Sequence, residues 1–156
     1  MFKNIVWATD GSESAERALA YAKELASRSD AKLYAVHSDE HLVGGRSAGY
    51  PVLADEPELR KKIQVQVEAA RTEGFDASFE TVHCTAGRTP HTIADFAQSV
   101  DADVIVVGTR GRSPLAGVLL GSVTQGLLHS APCPVLAVPP AAVPAPKDEA
   151  LAVAGA

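Results

Sequence analysis

The stretch Asp103-Val104-Ile105-Val106-Val107-Gly108-Thr109-Arg110-Gly111 decides the fold of this chain. Four β-branched residues in succession suit a strand covered on both faces, the kind found at the centre of a parallel sheet. The glycines that follow close the strand and open a loop. Upstream, Thr89-Pro90 starts a helix, with Pro at the first helical position, and Ile93, Phe96, Ala97 and Val100 form its buried stripe. Downstream, Ser122 to about Ser130 forms a further helix, stopped by Pro132 and Pro134, and Val135-Leu136-Ala137-Val138 is a last strand.

The same alternation runs back to the start of the chain. Residues 4–9 form a short apolar strand ending at Asp10-Gly11, and Ala15, Ala18, Leu19, Ala22, Leu25 and Ala26 recur at helical spacing over about residues 12–28. Residues 31–38 form a second strand, and residues 39–54 a long loop with Gly44-Gly45, Gly49 and Pro51. Leu59, Ile63, Val67 and Ala70 mark a helix with Gly74 just past its end, where a left-handed cap is favoured. Residues 77–83 alternate as a strand does. The order β-α-β-α-β-α-β-α-β implies right-handed crossovers and an open, five-stranded parallel sheet with helices on both faces, an α/β fold.

Composition agrees with one such domain. The chain has 156 residues, 46% of them hydrophobic, with two cysteines and a net charge of −5. That length buries a core without staples, and the acidic balance argues against a nucleic-acid partner. No apolar run approaches the roughly 20 residues of a spanning helix, so no membrane partner is expected. The opening apolar stretch is too short for a signal peptide. Cys84 and Cys133 belong to no CxxC pattern, and the expected location is cytoplasmic. Residues 1–138 form the expected domain, and residues 139–156 a Pro/Ala-rich flexible tail.

In an open doubly wound sheet, ligands bind beyond the carboxyl ends of the strands, where strand order reverses. The candidate stretches are therefore Thr9-Asp10-Gly11, His37-Ser38-Asp39 and the run from Gly108 to Gln125. Gly108 and Gly111 allow close backbone approach to a ligand. Ser122 and Gln125 fit an S-x-x-Q capping box, and a helix N-terminus suits phosphate. Arg110 and Arg112 stand at the rim. Each of these residues also has a plain structural use, as a strand end, a turn or a cap; together, after a central strand, they favour a ligand loop. Asp10 suits Mg²⁺ held alongside phosphates. It equally suits the N-cap of the first helix, with Glu13 completing a box.

The pattern G-x2-G-x9-G-S over Gly108, Gly111, Gly121 and Ser122 resembles the nucleotide-binding signature of the universal stress protein family. The likeness extends to the opening IVWATDGSESAERAL, to the Gly87…Ile93…Ala97 spacing and to the ending LLGSVTQGLLHSAPCPVLAV. It implies a Rossmann-like fold of the adenine nucleotide alpha hydrolase type, with strand order 3-2-1-4-5. It further implies binding of an adenine nucleotide, ATP with Mg²⁺, by a regulatory protein of the stress response. By matching positions, Ala8, Thr9 and Asp10 flank the nucleotide and Ser38 lies near adenine. Val107, Gly108 and Arg110 border ribose and phosphates, while Gly111, Gly121, Ser122, Val123 and Thr124 bind phosphate. The family also implies a homodimer through strand Val135–Val138.

No catalytic residue stands out, so any ATP hydrolysis is expected to be slow. A dimeric interaction module without nucleotide, or a protein that binds AMP or cyclic AMP, are the alternatives. His37, His41, His83, His91 and His129 show no metal-binding spacing. His83 and Cys84 are adjacent on a strand and point to opposite faces, which argues against a catalytic pair. Residues 44–49 read as a flap over the nucleotide.

Overall fold

The computed structural model describes residues 1–41, 56–111 and 120–141. The expected flap, Arg112 and all but the first residues of the expected tail lie outside them. The elements are β1 (Asn4–Ala8), α1 (Glu13–Ser29), β2 (Lys32–His41), α2 (Glu56–Thr72), β3 (Ala77–Thr85), α3 (Thr89–Ser99), β4 (Val104–Gly108), α4 (Ser122–Ser130) and β5 (Val135–Val138). They build one parallel sheet of order β3-β2-β1-β4-β5. Trp7 of β1 stands between Ala35 of β2 and Val106 of β4, and Ala8 between Val36 and Val107.

The pleat sends alternate residues to two cores. On one face, Ile5, Trp7, Leu33, Ala35, Val104 and Val106 meet the alanine stripe Ala18, Ala22 and Ala26 of α1 and Leu59, Ile63 and Val67 of α2. On the other, Val6, Ala8, Val36, Ile105 and Val107 meet Ile93, Ala94 and Ala97 of α3 and Leu127 of α4. The unbroken β-branched run is thus covered twice, and each large side chain so buried contributes about 1.5–3 kcal/mol. Small residues let helices sit close: a Cβ on Gly126 of α4 would stand 2.4 Å from Pro90 Cγ of α3.

Three local expectations are corrected. The N-cap of α1 is Ser12, whose side chain accepts from Ala15 N–H, and not Asp10. Asp10 Oδ1 instead accepts the N–H of Ser12 at 3.0 Å, an Asx turn that, with Gly11 at φ +73°, moves the helix start two residues on. Second, β2 does not end at residue 38: residues 39–41 stay paired with residues 83–85 of β3. Polar alternation accommodates this, because Asp39 reaches Arg60 of α2 on one face while Glu40 accepts from Thr89 of α3 on the other. Third, Pro90 is the second helical residue of α3, which begins at Thr89.

Candidate functional site

β1 is flanked by β2 and β4, and the chain leaves β1 for α1 on one face and β4 for α4 on the other. Strand order therefore reverses between β1 and β4, and a crevice opens beyond their carboxyl ends. Asp10, the Thr109–Gly111 backbone and the start of α4 come together there. A Cβ on Gly111 would stand 2.9 Å from Asp10 Oδ2, and one on Gly121 would stand 3.4 Å from the Thr109 carbonyl oxygen. Gly121 N–H donates to that same oxygen at 2.7 Å.

This anchor sets where α4 begins. Gly121, not Ser122, is the N-cap, and the helix has no side-chain cap, so the expected Ser122–Gln125 capping box does not form. With Gly121 held on Thr109, Ser122 falls one residue inside the helix, and Gln125 N–H closes the first turn on Gly121 O at 2.9 Å. The N–H groups of Ser122, Val123 and Thr124 are the orphan donors of the first turn. They point along the helix axis at its positive end. The Thr124 side chain is engaged elsewhere: it is 2% exposed and its hydroxyl donates to Gly108 O at 2.7 Å.

The remaining positions divide by depth. Ala8 and Val107 are buried in the α3/α4 core, whereas Arg110, Gly111 and Ser122 are exposed. Gly108 is buried for a reason that is not a ligand: a Cβ there would stand 2.5 Å from Ser14 Oγ, 2.7 Å from Ser14 C and 2.9 Å from Ala15 N. The first turn of α1 rests on it. Ser38 sits on β2, opposite Val82 of β3, one strand away from β1. Its hydroxyl meets Cys84 Sγ at 3.1 Å and Thr89 Oγ1 at 3.3 Å.

Two residues hold the site together through contacts that no local pattern in the sequence announces. Ser14, buried in the first turn of α1, has its hydroxyl 3.4 Å from Val138 O and 3.5 Å from Arg110 N. Only the fold brings those partners 124 and 96 residues away into reach. His37, 5% exposed, faces the α2 side of β2. Its Nδ1 lies 3.0 Å from Thr9 O and its Nε2 lies 2.7 Å from Glu56 Oε1. Thr9 is fixed twice more, donating its N–H to Val36 O at 2.9 Å and accepting Gly11 N–H on Oγ1 at 3.2 Å. Lys62 of α2 donates to Gly11 O at 2.9 Å and pairs with Glu16.

As for metals, no group of three or more His, Cys, Asp or Glu side chains able to hold an ion occurs among the described residues. Nor, among them, is any helix long and apolar enough to cross a membrane.

A profile of the Universal stress protein family matches residues 1–139. The chain is 36% identical over 138 residues to a universal stress protein of Thermus aquaticus, the one in the QAH/OAS sulfhydrylase 3' region, covering 88% of this chain and 99% of that one. Its fold is similar to the universal stress protein from Archaeoglobus fulgidus, with a TM-score of 0.70, 33% identity and coverage of 88% and 99%. It is also similar to a universal stress protein of Archaeoglobus fulgidus solved in complex with dAMP, with a TM-score of 0.65, 29% identity and coverage of 88% and 98%. A family profile spanning both cores and the crevice, and relatives matched over almost their full length, lead to one assignment: the chain belongs to the universal stress protein family.

Proposed function

We propose that this protein binds an adenine nucleotide, ATP by preference, in the crevice between β1 and β4, and works as a sensor or regulator rather than as a dedicated enzyme. The observation that carries the reading is the start of α4. It has no side-chain cap and lies against Thr109–Gly111, within the crevice that Asp10 also borders. Orphan N–H groups at a helix N-terminus bind phosphate, and each hydrogen bond to a charged group contributes about 1.5–3 kcal/mol. In this reading Gly111, Gly121 and the N–H groups of Ser122, Val123 and Thr124 receive phosphate. Val107, Gly108 and Arg110 border ribose and phosphates, Ala8, Thr9 and Asp10 flank the nucleotide, and Ser38 lies toward the base.

Mg²⁺ fits only as a guest of the nucleotide. Asp10 is a single carboxylate with one oxygen already accepting from Ser12. Mg²⁺ takes one or two carboxylates together with phosphate oxygens and water, so Asp10 would supply one ligand to a nucleotide-bound ion. Hydrolysis is expected to be slow, because Asp10, the carboxylate this reading places beside the phosphates, is engaged by Ser12 N–H and the ion rather than set to activate water. Robust Mg²⁺-dependent turnover abolished by Asp10→Ala would overturn that expectation. Residues 1–138 are proposed as the folded unit, in the cytoplasm. We also propose a homodimer through β5, because β5 is an edge of the sheet and an unpaired strand edge calls for cover.

A nucleoside monophosphate is the second reading, supported by the dAMP complex of the Archaeoglobus fulgidus relative. Mass spectrometry of nucleotide released from the purified protein, followed by calorimetry with ATP, AMP and cyclic AMP, decides between them. ATP as the tightest ligand, with affinity lost in Gly121→Val, supports the first reading. Tighter AMP or cyclic AMP supports the second. Binding of none leaves a dimeric interaction module without nucleotide. Unchanged affinity in Gly121→Val removes the phosphate site from α4.

A further inference from the structure

His37 is buried between two groups that only accept hydrogen bonds. Nδ1 must carry hydrogen to reach the Thr9 carbonyl oxygen at 3.0 Å, since a carbonyl cannot donate. A neutral imidazole would then turn a bare Nε2 lone pair toward Glu56 Oε1 at 2.7 Å. An ionised carboxylate there has no hydrogen to offer, so lone pair would face lone pair. Holding both contacts takes one proton more than neutral His37 and ionised Glu56 possess together. That proton lies between Nε2 and Oε1, on either atom.

The contact joins two parts of the molecule. Thr9 carries the peptide that leads into Asp10, at the crevice, while Glu56 is the first residue of α2. The charged groups around the pair on the described elements are Arg60 of α2, Asp39 of β2, His83 of β3 and Asp10 after β1. Arg60 approaches Glu56 at 3.4 Å and Asp39 at 2.7 Å, and His83 Nδ1 lies 3.5 Å from Asp39. Beyond Gly11 lie Lys62 of α2 and Glu16 of α1.

We propose that His37 is a positioning residue of the nucleotide site: through the proton it shares with Glu56 it fixes the Thr9–Asp10 turn on the start of α2, and nucleotide affinity falls as that proton leaves. This rests on the nucleotide reading above. When the proton is released, either the Thr9 or the Glu56 contact is lost and the turn beside the phosphates is no longer held.

The test uses the full chain and calorimetry with ATP and AMP from about pH 5.5 to 8.5, beside nitrogen-detected NMR of the His37 ring. In the wild type, affinity should fall about tenfold with rising pH, the scale of one hydrogen bond to a charged group, in step with the change in the His37 ring signals. Glu56→Gln is the decisive variant. Its amide can donate to Nε2 while Nδ1–H still serves Thr9, so no extra proton is needed: affinity stays high and the pH profile flattens. His37→Asn should weaken binding, and His83→Gln should leave the profile intact.

A pH-independent wild-type affinity overturns the inference. So does a profile kept in Glu56→Gln or lost in His83→Gln, or a His37 ring that shows an unprotonated Nε2 throughout while Glu56 stays ionised. Each of these leaves the nucleotide reading standing. Failure of the wild type to bind ATP or AMP at any pH overturns both.

Discussion

The Thr124 hydroxyl donates to the Gly108 carbonyl oxygen at 2.7 Å, joining the first turn of α4 to the last residue of β4. Both residues are buried, so the acceptor has no water to fall back on. Thr124→Val keeps the shape and removes the donor. Leaving a buried carbonyl unpaired costs about 1–3 kcal/mol, so the unfolding free energy should fall by that amount, seen as a lower urea midpoint at unchanged slope. Nucleotide affinity should fall too, because the start of α4 is then set by Gly121 alone. A variant as stable as the wild type would show that the carbonyl finds another partner.

Gly108, which the nucleotide reading sets beside ribose and phosphates, also has a packing role. Its absent side chain is where the Ser14–Ala15 backbone lies, with two backbone atoms closer than 3.0 Å to the Cβ position. Neither can swing aside as a side-chain tip would. Gly108→Ala should therefore destabilise the protein without any nucleotide present, by about 1–3 kcal/mol, as overpacking does. Thermal unfolding of the ligand-free protein measures this. Unchanged stability together with lost affinity would mean that the missing side chain serves the ligand rather than the packing of α1.

These two residues also show how far the sequence could be read. The alternation of elements and both cores follow from periodicity in one element at a time: the alanine stripe of α1, the run Val104–Val107, and the spacing Leu59, Ile63, Val67, Ala70 all do what their patterns imply. The strand order comes from the family resemblance, not from any pattern within one element. Boundaries and caps depend on partners distant in sequence. Ser12 takes the cap because Asp10 spends an oxygen on Ser12 N–H, and Gly121 takes it because Thr109 O holds Gly121 N–H. The motif glycines are alike as letters and differ in environment, since Gly108 faces helix backbone while Gly111 faces the Asp10 carboxylate. His37 was visible, yet its two acceptors come from β1 and α2, and no local pattern announces them.

Trp7 is the single tryptophan of the chain and is fully buried at the centre of the sheet. Its Nε1–H donates to Ala15 O at 2.8 Å, so one side chain both fills the core and fixes the height of α1 over β1. Trp7→Phe loses the donor and part of the volume, at an expected cost of about 2–4 kcal/mol. The variant has no tryptophan, so circular dichroism must follow its urea unfolding. A loss below about 0.5 kcal/mol would mean that the indole hydrogen bond and its packing count for little beside the alanine contacts.

Asp103 staples the entry of β4 to that of β1 and gives the stability a definite acid dependence. Its Oδ2 accepts the N–H groups of Asn4 at 2.9 Å and Lys3 at 2.6 Å. Those two hydrogen bonds, Asn4 first, hold its carboxyl below the ordinary value of 3.8; the charges of the N-terminus and Lys3 add to this, and desolvation opposes it. A carboxyl whose folded pKa is depressed binds a proton more readily in the unfolded chain, so stability rises with pH across the interval between the two values. The contribution is whole above the unfolded value and disappears as pH falls through the folded one. In Asp103→Asn the titrating group is gone. The stability gap between wild type and variant should therefore be constant from about pH 7 to 5 and shrink below about pH 4. Urea unfolding of both proteins at stepped pH measures the gap. A gap that persists undiminished to about pH 2 would mean that the two N–H groups recognise the neutral side chain as well as the carboxylate, and that the acid dependence originates elsewhere.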